Sequence, residues 1–211
     1  VTAGAVVGAP PRFATPRTDR ATRGGEVAEV MRMLHFSPMP WQRQVLDVAY
    51  EADEDGELVY REVVLVVPRQ AGKTSLLLGS QVHRALAFGR PQTSFYTAQT
   101  RLHARAKFVD EHLPILEGSE FGALFTKRLA MGAEAVLWSN GSMHGIVAPN
   151  KDAVHGGSLD LAQIDEAFSL PDDRLEQGLK PTMVTRRSPQ TWIVSAAGDD
   201  DSVYLKAKVE V

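Results

Sequence analysis

The sequence predicts an α/β fold in which helices cover both faces of a mainly parallel β-sheet. Three observations carry this. Short apolar runs recur at Val59–Val67, Thr93–Ala98, Leu159–Ile164 and Thr191–Ala196, and segments of helical periodicity separate them, an alternation that builds parallel sheets. The first run leads into Gly72-Lys73-Thr74, and about ninety residues on the third ends in Asp165-Glu166, a spacing typical of strand–loop–helix units. Finally, 211 residues with 44% hydrophobic content can bury one full core, and at that size a single domain is the default.

Taken in order, residues 1–25 are rich in Pro, Gly, Thr and Arg and show no period. They read as an arm that stays extended or poorly ordered until it docks, ahead of one domain over 26–211. A helix is expected from Glu26 to His35, stopped by Pro38 and Pro40. Pro40 then suits the first turn of a helix through Trp41, Val45, Leu46, Val48 and Ala49. Glu51–Glu57 is an acidic loop, Val59–Val67 a buried strand, and Lys73–Phe88 a helix with Leu76, Leu77, Leu78, Val82 and Leu86 inward. A strand at Thr93–Ala98 precedes a helix from Thr100 to Leu116. Ala133–Trp138 and Ser142–Val147 alternate on either side of Asn140-Gly141, which predicts a β-hairpin inserted near 133–147. The Leu159–Ile164 strand, a helix near Asp172–Leu179, the Thr191–Ala196 strand and a short helix at Val203–Lys208 complete the chain.

Composition narrows the function classes. No run approaches the roughly 20 apolar residues that span a bilayer, and the N-terminus lacks a secretory pattern, so a protein that is neither secreted nor membrane-bound is expected. The 0 cysteines remove disulfides, thiolate metal sites and thiol nucleophiles. A net charge of −3 argues against indiscriminate coating of nucleic acid, although local basic surface can still meet DNA. Basic residues gather at Arg12, Arg17, Arg20 and Arg23, at Arg101, Arg105 and Lys107, and at Arg186–Arg187. Each group reads first as a solvated face.

The segment Val67-Pro68-Arg69-Gln70-Ala71-Gly72-Lys73-Thr74 approximates the phosphate-loop pattern, with Val67 where the first glycine usually stands. Between a strand and a helix, Gly72 lets backbone approach a phosphate, and the free N–H groups of the helix start point at the anion. Lys73 would reach the β- and γ-phosphates, and the Thr74 hydroxyl would hold Mg2+. The bland alternative is a chance Gly-Lys-Thr at a surface turn. Asp165, at the end of a buried strand, is costly unless paired. It is expected beside the loop strand, holding Mg2+, with Glu166 next to it to deprotonate an attacking water. A solvated or helix-start carboxylate is the alternative for Glu166. The expected chemistry is in-line attack of water on the γ-phosphate of ATP.

With Pro40-Trp41-Gln42-Arg43 upstream and Ser195-Ala196-Ala197-Gly198 downstream, this set resembles the large terminase subunit of tailed double-stranded DNA bacteriophages, over nearly the whole chain. The resemblance implies a RecA-like P-loop NTPase fold of the ASCE type, with its site at the C-terminal ends of the strands. It implies an ATP- and Mg2+-dependent motor that drives double-stranded DNA into a procapsid. It further implies a homo-oligomeric ring, a portal protein and a small terminase subunit as partners, and a place at the portal in the cytoplasm of the infected bacterium. Residue by residue, it gives Gln42 to adenine reading and Arg69 to charge beside the γ-phosphate. Pro68, Gln70 and Ala71 complete the nucleotide loop, and Ser195, Ala196 and Ala197 form the coupling motif.

Two features depart from the family pattern. Where some terminases carry an arginine that serves the neighbouring subunit, this chain has His155, which is mostly neutral at pH 7. Either Arg69 suffices in cis, or Arg101, Arg105 or Arg128 reaches across. Family members also continue into a nuclease domain, whereas Asp199, Asp200 and Asp201 form a run on one turn, unlike a two-metal site built from separated elements. An isolated ATPase domain without nuclease activity is therefore expected. Two other readings share these motifs: a superfamily 2 helicase-like ATPase, and a nucleotide-binding regulatory module with little turnover.

Overall fold

A computed structural model describes residues 10–149 and 157–209. Seven strands form one sheet: β1 (Glu62–Val66), β2 (Thr93–Thr97), β3 (Phe125–Arg128), β4 (Ala135–Trp138), β5 (Met143–Ile146), β6 (Leu161–Asp165) and β7 (Gln190–Ser195). Their spatial order is β1-β7-β6-β2-β5-β4-β3. The first five in that order run parallel, while β4 is antiparallel to both β5 and β3. The helices are α1 (Gly24–Met33), α2 (Pro40–Ala49), α3 (Lys73–Ala87), α4 (Arg101–Lys107), α5 (Leu113–Glu117), α6 (Arg174–Met183) and α7 (Val203–Val209).

Side-chain alternation along the inner strands distributes two cores. Leu161, Trp192 and Val194 face α1, α2 and α3, where Leu46, Leu76 and Leu77 are fully buried. Ala162, Ile164 and Ile193 face the other way, toward Leu175 and Leu179 of α6 and Leu205 of α7. Successive residues on opposite faces are the period of two that a strand imposes, and a strand covered on both faces reads as a continuous apolar run. Truncating Leu77 to Ala would cost about 2–5 kcal/mol on that account. Helices α1 and α2 approach so closely that a Cβ on Gly24 would lie 2.5 Å from the Leu46 carbonyl oxygen, and only glycine fits there. Among the described residues no helix is long and apolar enough to cross a membrane.

Several expectations need correction. The Val59–Val67 run is shorter as a strand and lies at a sheet edge, with Val64 36% and Val66 41% exposed. An apolar β-branched run looks the same in sequence whether one or two strands flank it. The acidic strand is not beside the loop strand, because β7 runs between them: Val66 pairs with Ser195, and Asp165 with Val194. The hairpin forms as expected, with Gly141 at φ 85°, but it is no insertion. Its second strand, β5, pairs with β2 and continues the main sheet, and β3 extends it further. The helix expected from Thr100 to Leu116 is interrupted by a π turn at Phe108–His112, just ahead of Pro114, whose nitrogen carries no hydrogen for the regular ladder.

The N-terminal arm is fastened before residue 25. Buried Glu51 accepts from the Thr18 backbone N–H at 2.8 Å and from Arg17 Nη1 at 2.7 Å, and Ala52 donates to the Ala21 carbonyl at 2.9 Å. Extended chain can dock because a buried carboxylate demands such partners.

Candidate functional site

Strands β1, β7 and β6 are parallel and end at one side of the sheet, so the loop after β1, Ser195 and the Asp165-Glu166 pair are neighbours. Two inter-strand steps separate β1 from β6, about 10 Å. That gap suits a polyphosphate and its counter-ion.

The loop is shaped by two left-handed residues, Gln70 at φ 58° and Gly72 at φ 92°. The first is unusual for a residue with a Cβ. At Gly72 a Cβ would also sit 3.0 Å from Gln42 Nε2, so conformation and space both require glycine. Helix α3 begins at Lys73, and the first N–H groups of any helix lack partners within it. Those donors and the positive helix end make an anion cradle. Lys73 Nζ donates to the Pro68 carbonyl at 2.9 Å, so the lysine closes over its own loop. Partial burial pulls its pKa below the ordinary lysine value, while Asp165 and Glu166 pull the other way and Lys107 and Arg69 add to the lowering. All four charges therefore lie within electrostatic reach of Lys73.

Gln42 proves to be a brace. It is 1% exposed. Its Oε1 accepts from Met39 N at 2.8 Å, and Nε2 donates to the Gly72 carbonyl at 2.8 Å and to Ser75 Oγ at 3.0 Å. With both Nε2 hydrogens engaged, only one lone pair of Oε1 is left to face a purine. The amide thus ties the start of α2 to the loop and to the first turn of α3.

The acidic corner is more heavily bonded than sequence suggests. Asp165 is 2% exposed. Its Oδ1 accepts from Glu166 N at 2.9 Å, and its Oδ2 accepts from both Tyr96 OH at 2.9 Å and Lys107 Nζ at 2.8 Å. Burial would lower the Lys107 pKa, but Asp165 more than compensates and holds it above the usual value. Burial and the same carboxylate push the Tyr96 phenol well up. Glu166 stands at φ 57° and ψ 41°, where it turns the chain into a 3₁₀ turn at Ala167–Ser169. Such backbone costs of order 1–3 kcal/mol and collects at functional sites. Its carboxylate has no ion pair among the described residues and is partly open to solvent.

Ser195 joins the two corners. Its carbonyl accepts from Val67 N and its hydroxyl from Phe168 N, each at 3.0 Å. Ala196 is partly buried and Ala197 exposed. Arg69 is exposed on the loop with its guanidinium 5.9 Å from the Phe168 ring centre. Thr74 and Ala71 are partly buried beside it, and Pro68 and Gln70 are exposed.

Of the arginines considered for a neighbouring subunit, Arg101 and Arg105 are both fixed on buried Glu134. Arg128 Nε donates to the Ala133 carbonyl at 2.6 Å. His155 lies outside the described residues. Sequence reasoning missed Tyr96 and Lys107. Helical arithmetic offers a signal for the second: at 100° per residue Arg101 and Arg105 share a face, while Lys107 lies about 200° from Arg105. Two open cavities lined by Arg23, Arg90 and Arg187, and by Arg20, Arg61 and Arg186, lie at the opposite ends of the strands.

Comparisons with known proteins bear on the family and the fold. Residues 40–210 match the family described as the terminase large subunit, ATPase domain. No match was found among curated protein sequences. Among solved structures, the large terminase of bacteriophage HK97 is similar at 17% identity and a TM-score of 0.74, over 90% of this chain and 41% of that one. The large terminase ATPase domain of Thermus phage P74-26 follows at 16% identity and 0.59, over 87% and 73%. The large terminase of a thermophilic bacteriophage, in complex with ADP, gives 12% and 0.54, over 82% and 38%. This chain thus spans less than half the length of the first and the last of these three proteins.

Proposed function

Because the chain belongs to the terminase large-subunit ATPase-domain family and has its RecA-like P-loop fold, we propose that it hydrolyses ATP to drive double-stranded DNA into a viral procapsid. One observation carries the chemistry: the phosphate loop and the acidic pair share one end of the sheet, with Lys73 in the field of Asp165 and Glu166. The large terminase of the thermophilic bacteriophage has been solved with ADP and with ATP-γ-S, which supports adenine nucleotides as the ligand class.

On binding, Lys73 exchanges the Pro68 carbonyl for phosphate oxygens, and the α3 amides receive the β-phosphate. Arg69 adds positive charge from the exposed side of the loop. Glu166, which has no ion pair among the described residues, orients a water and takes its proton as the oxygen attacks the γ-phosphorus in line and the bond to the β–γ bridging oxygen breaks, releasing ADP. The residues present fit Mg2+: the Thr74 hydroxyl and the Asp165 carboxylate are hard oxygen donors, and Asp165 Oδ2 already draws a cation, Lys107, to 2.8 Å. When bound there, Mg2+ supplies neutralising charge for the phosphate oxygens. Ser195 senses the result, because loss of the γ-phosphate moves the loop and the turn at Phe168 that it ties together. Ring assembly, with a portal protein and a small terminase subunit at the portal in the bacterial cytoplasm, completes the reading, and translocation follows from it.

Phosphate release measured at steady state, with and without DNA, tests the proposal. Glu166→Gln should keep ATP binding while turnover falls about 10²-fold or more, and Lys73→Ala should lose both. Full turnover in Glu166→Gln would sink it.

A further inference from the structure

Lys107 ends α4, just before the π turn, a kind of irregularity that recurs at functional sites. Its ammonium reaches across from β2's following helix to a carboxylate that is nearly inaccessible to solvent, and it meets Oδ2 at 2.8 Å. Tyr96 OH approaches the same oxygen at 2.9 Å, while Oδ1 is taken by the Glu166 amide. Three of the roughly four lone-pair directions of Asp165 are therefore engaged, both of those on Oδ2 among them, and the one cation among these partners is carried on a flexible four-carbon stem. An ammonium and a divalent ion cannot share that oxygen without strong repulsion.

We propose that Lys107 is a positioning residue that occupies the metal-facing oxygen of Asp165 until a metal–nucleotide complex displaces it. This rests on the reading of Asp165 as a metal-holding residue. A bare divalent ion has to expel Lys107 unaided. A nucleotide brings several negative charges to the same corner, which stabilises both the incoming ion and the displaced ammonium. Metal and nucleotide consequently load together, and when product phosphate leaves, Lys107 returns to Oδ2 and helps the ion depart. A lysine that merely held the fold together would stay on Oδ2 when metal and nucleotide bind, and its reactivity would not change.

The test is an electron paramagnetic resonance titration of Mn2+ into the nucleotide-free chain. Lys107→Met should tighten Mn2+ binding about tenfold or more, as loss of an adjacent like charge demands, and Lys107→Arg should stay close to the wild type. Adding Asp165→Asn to Lys107→Met should abolish the gain. Unchanged affinity in a folded Lys107→Met protein, or an equal gain in Lys107→Arg, overturns the proposal. If the methionine variant does not fold, acetylation of Lys107 in the wild type, read by mass spectrometry, decides: reactivity should rise when Mg2+ and ATP-γ-S are added, and an unchanged rate overturns the idea. Asp165→Asn alone separates the two readings. Intact metal–nucleotide binding in that variant refutes the metal site itself, whereas failure confined to the Lys107 arms refutes only the displacement.

Discussion

Ser195 shows how much one small side chain can hold. Its hydroxyl is the acceptor for Phe168 N and its carbonyl the acceptor for Val67 N. Ser195→Ala removes the first acceptor and leaves an amide half-buried without a partner, a loss of about 1–3 kcal/mol. Urea denaturation should record that loss, and ATP turnover should fall with it. Gln42→Ala should act on the same scale, because it strips the acceptor from Met39 N and both donors from the loop. Isothermal titration would then show weaker nucleotide binding. Lys73, Thr74, Asp165 and Glu166 were legible in sequence because their chemistry sits in contiguous residues after apolar runs. Tyr96 and Lys107 were not, because a strand and a helix elsewhere in the chain deliver them to Asp165.

At the scale of elements, the strands and helices were readable from periodicity, but their neighbours were not. Nothing in Thr191–Ala196 says that it will lie between β1 and β6, and nothing in Val59–Val67 says that it will be an edge. The π turn was equally hidden, and it brings a buried histidine with it. His112 is 1% exposed with neither ring nitrogen bonded, and it packs edge-on to Tyr96 at 5.1 Å. Burial lowers its pKa from 6.5 to about 4, and lowers that of His144 on β5 to about 3. The unfolded chain binds protons at these rings from about pH 6.5 downward, whereas the folded chain does not until pH 4 or below. Stability is therefore fully present above pH 6.5 and declines as pH falls toward 4. His112→Phe should remove up to about 3 kcal/mol of that acid loss and leave stability at about pH 8 no lower, as denaturant midpoints across the range would show. An unchanged acid limb would mean the ring is already solvated.

Across the whole molecule, the sheet separates two jobs. One side of its strand ends presents the loop, Ser195 and the acidic pair, while the other end is laced by ion pairs such as Arg90 with buried Asp160 at 2.8 Å. Ligand binding at the first should be felt globally, since only the folded chain assembles the cradle. ATP-γ-S at about 100 times its Kd should raise unfolding free energy by about 2.7 kcal/mol, and thermal melts of Lys73→Ala should show none of that shift.

The edge position of β1 has its own outcome. In parallel pairing, Arg61 and Val67 point their backbone groups at β7, so Glu62, Val64 and Val66 turn theirs outward, with no strand beyond them among the described residues. Their amide protons should trade for deuterium well ahead of those in β7. The segment that leads into the phosphate loop is thus bonded on one side only, as β3 is at the far edge, whereas β6 and β7 are held from both sides.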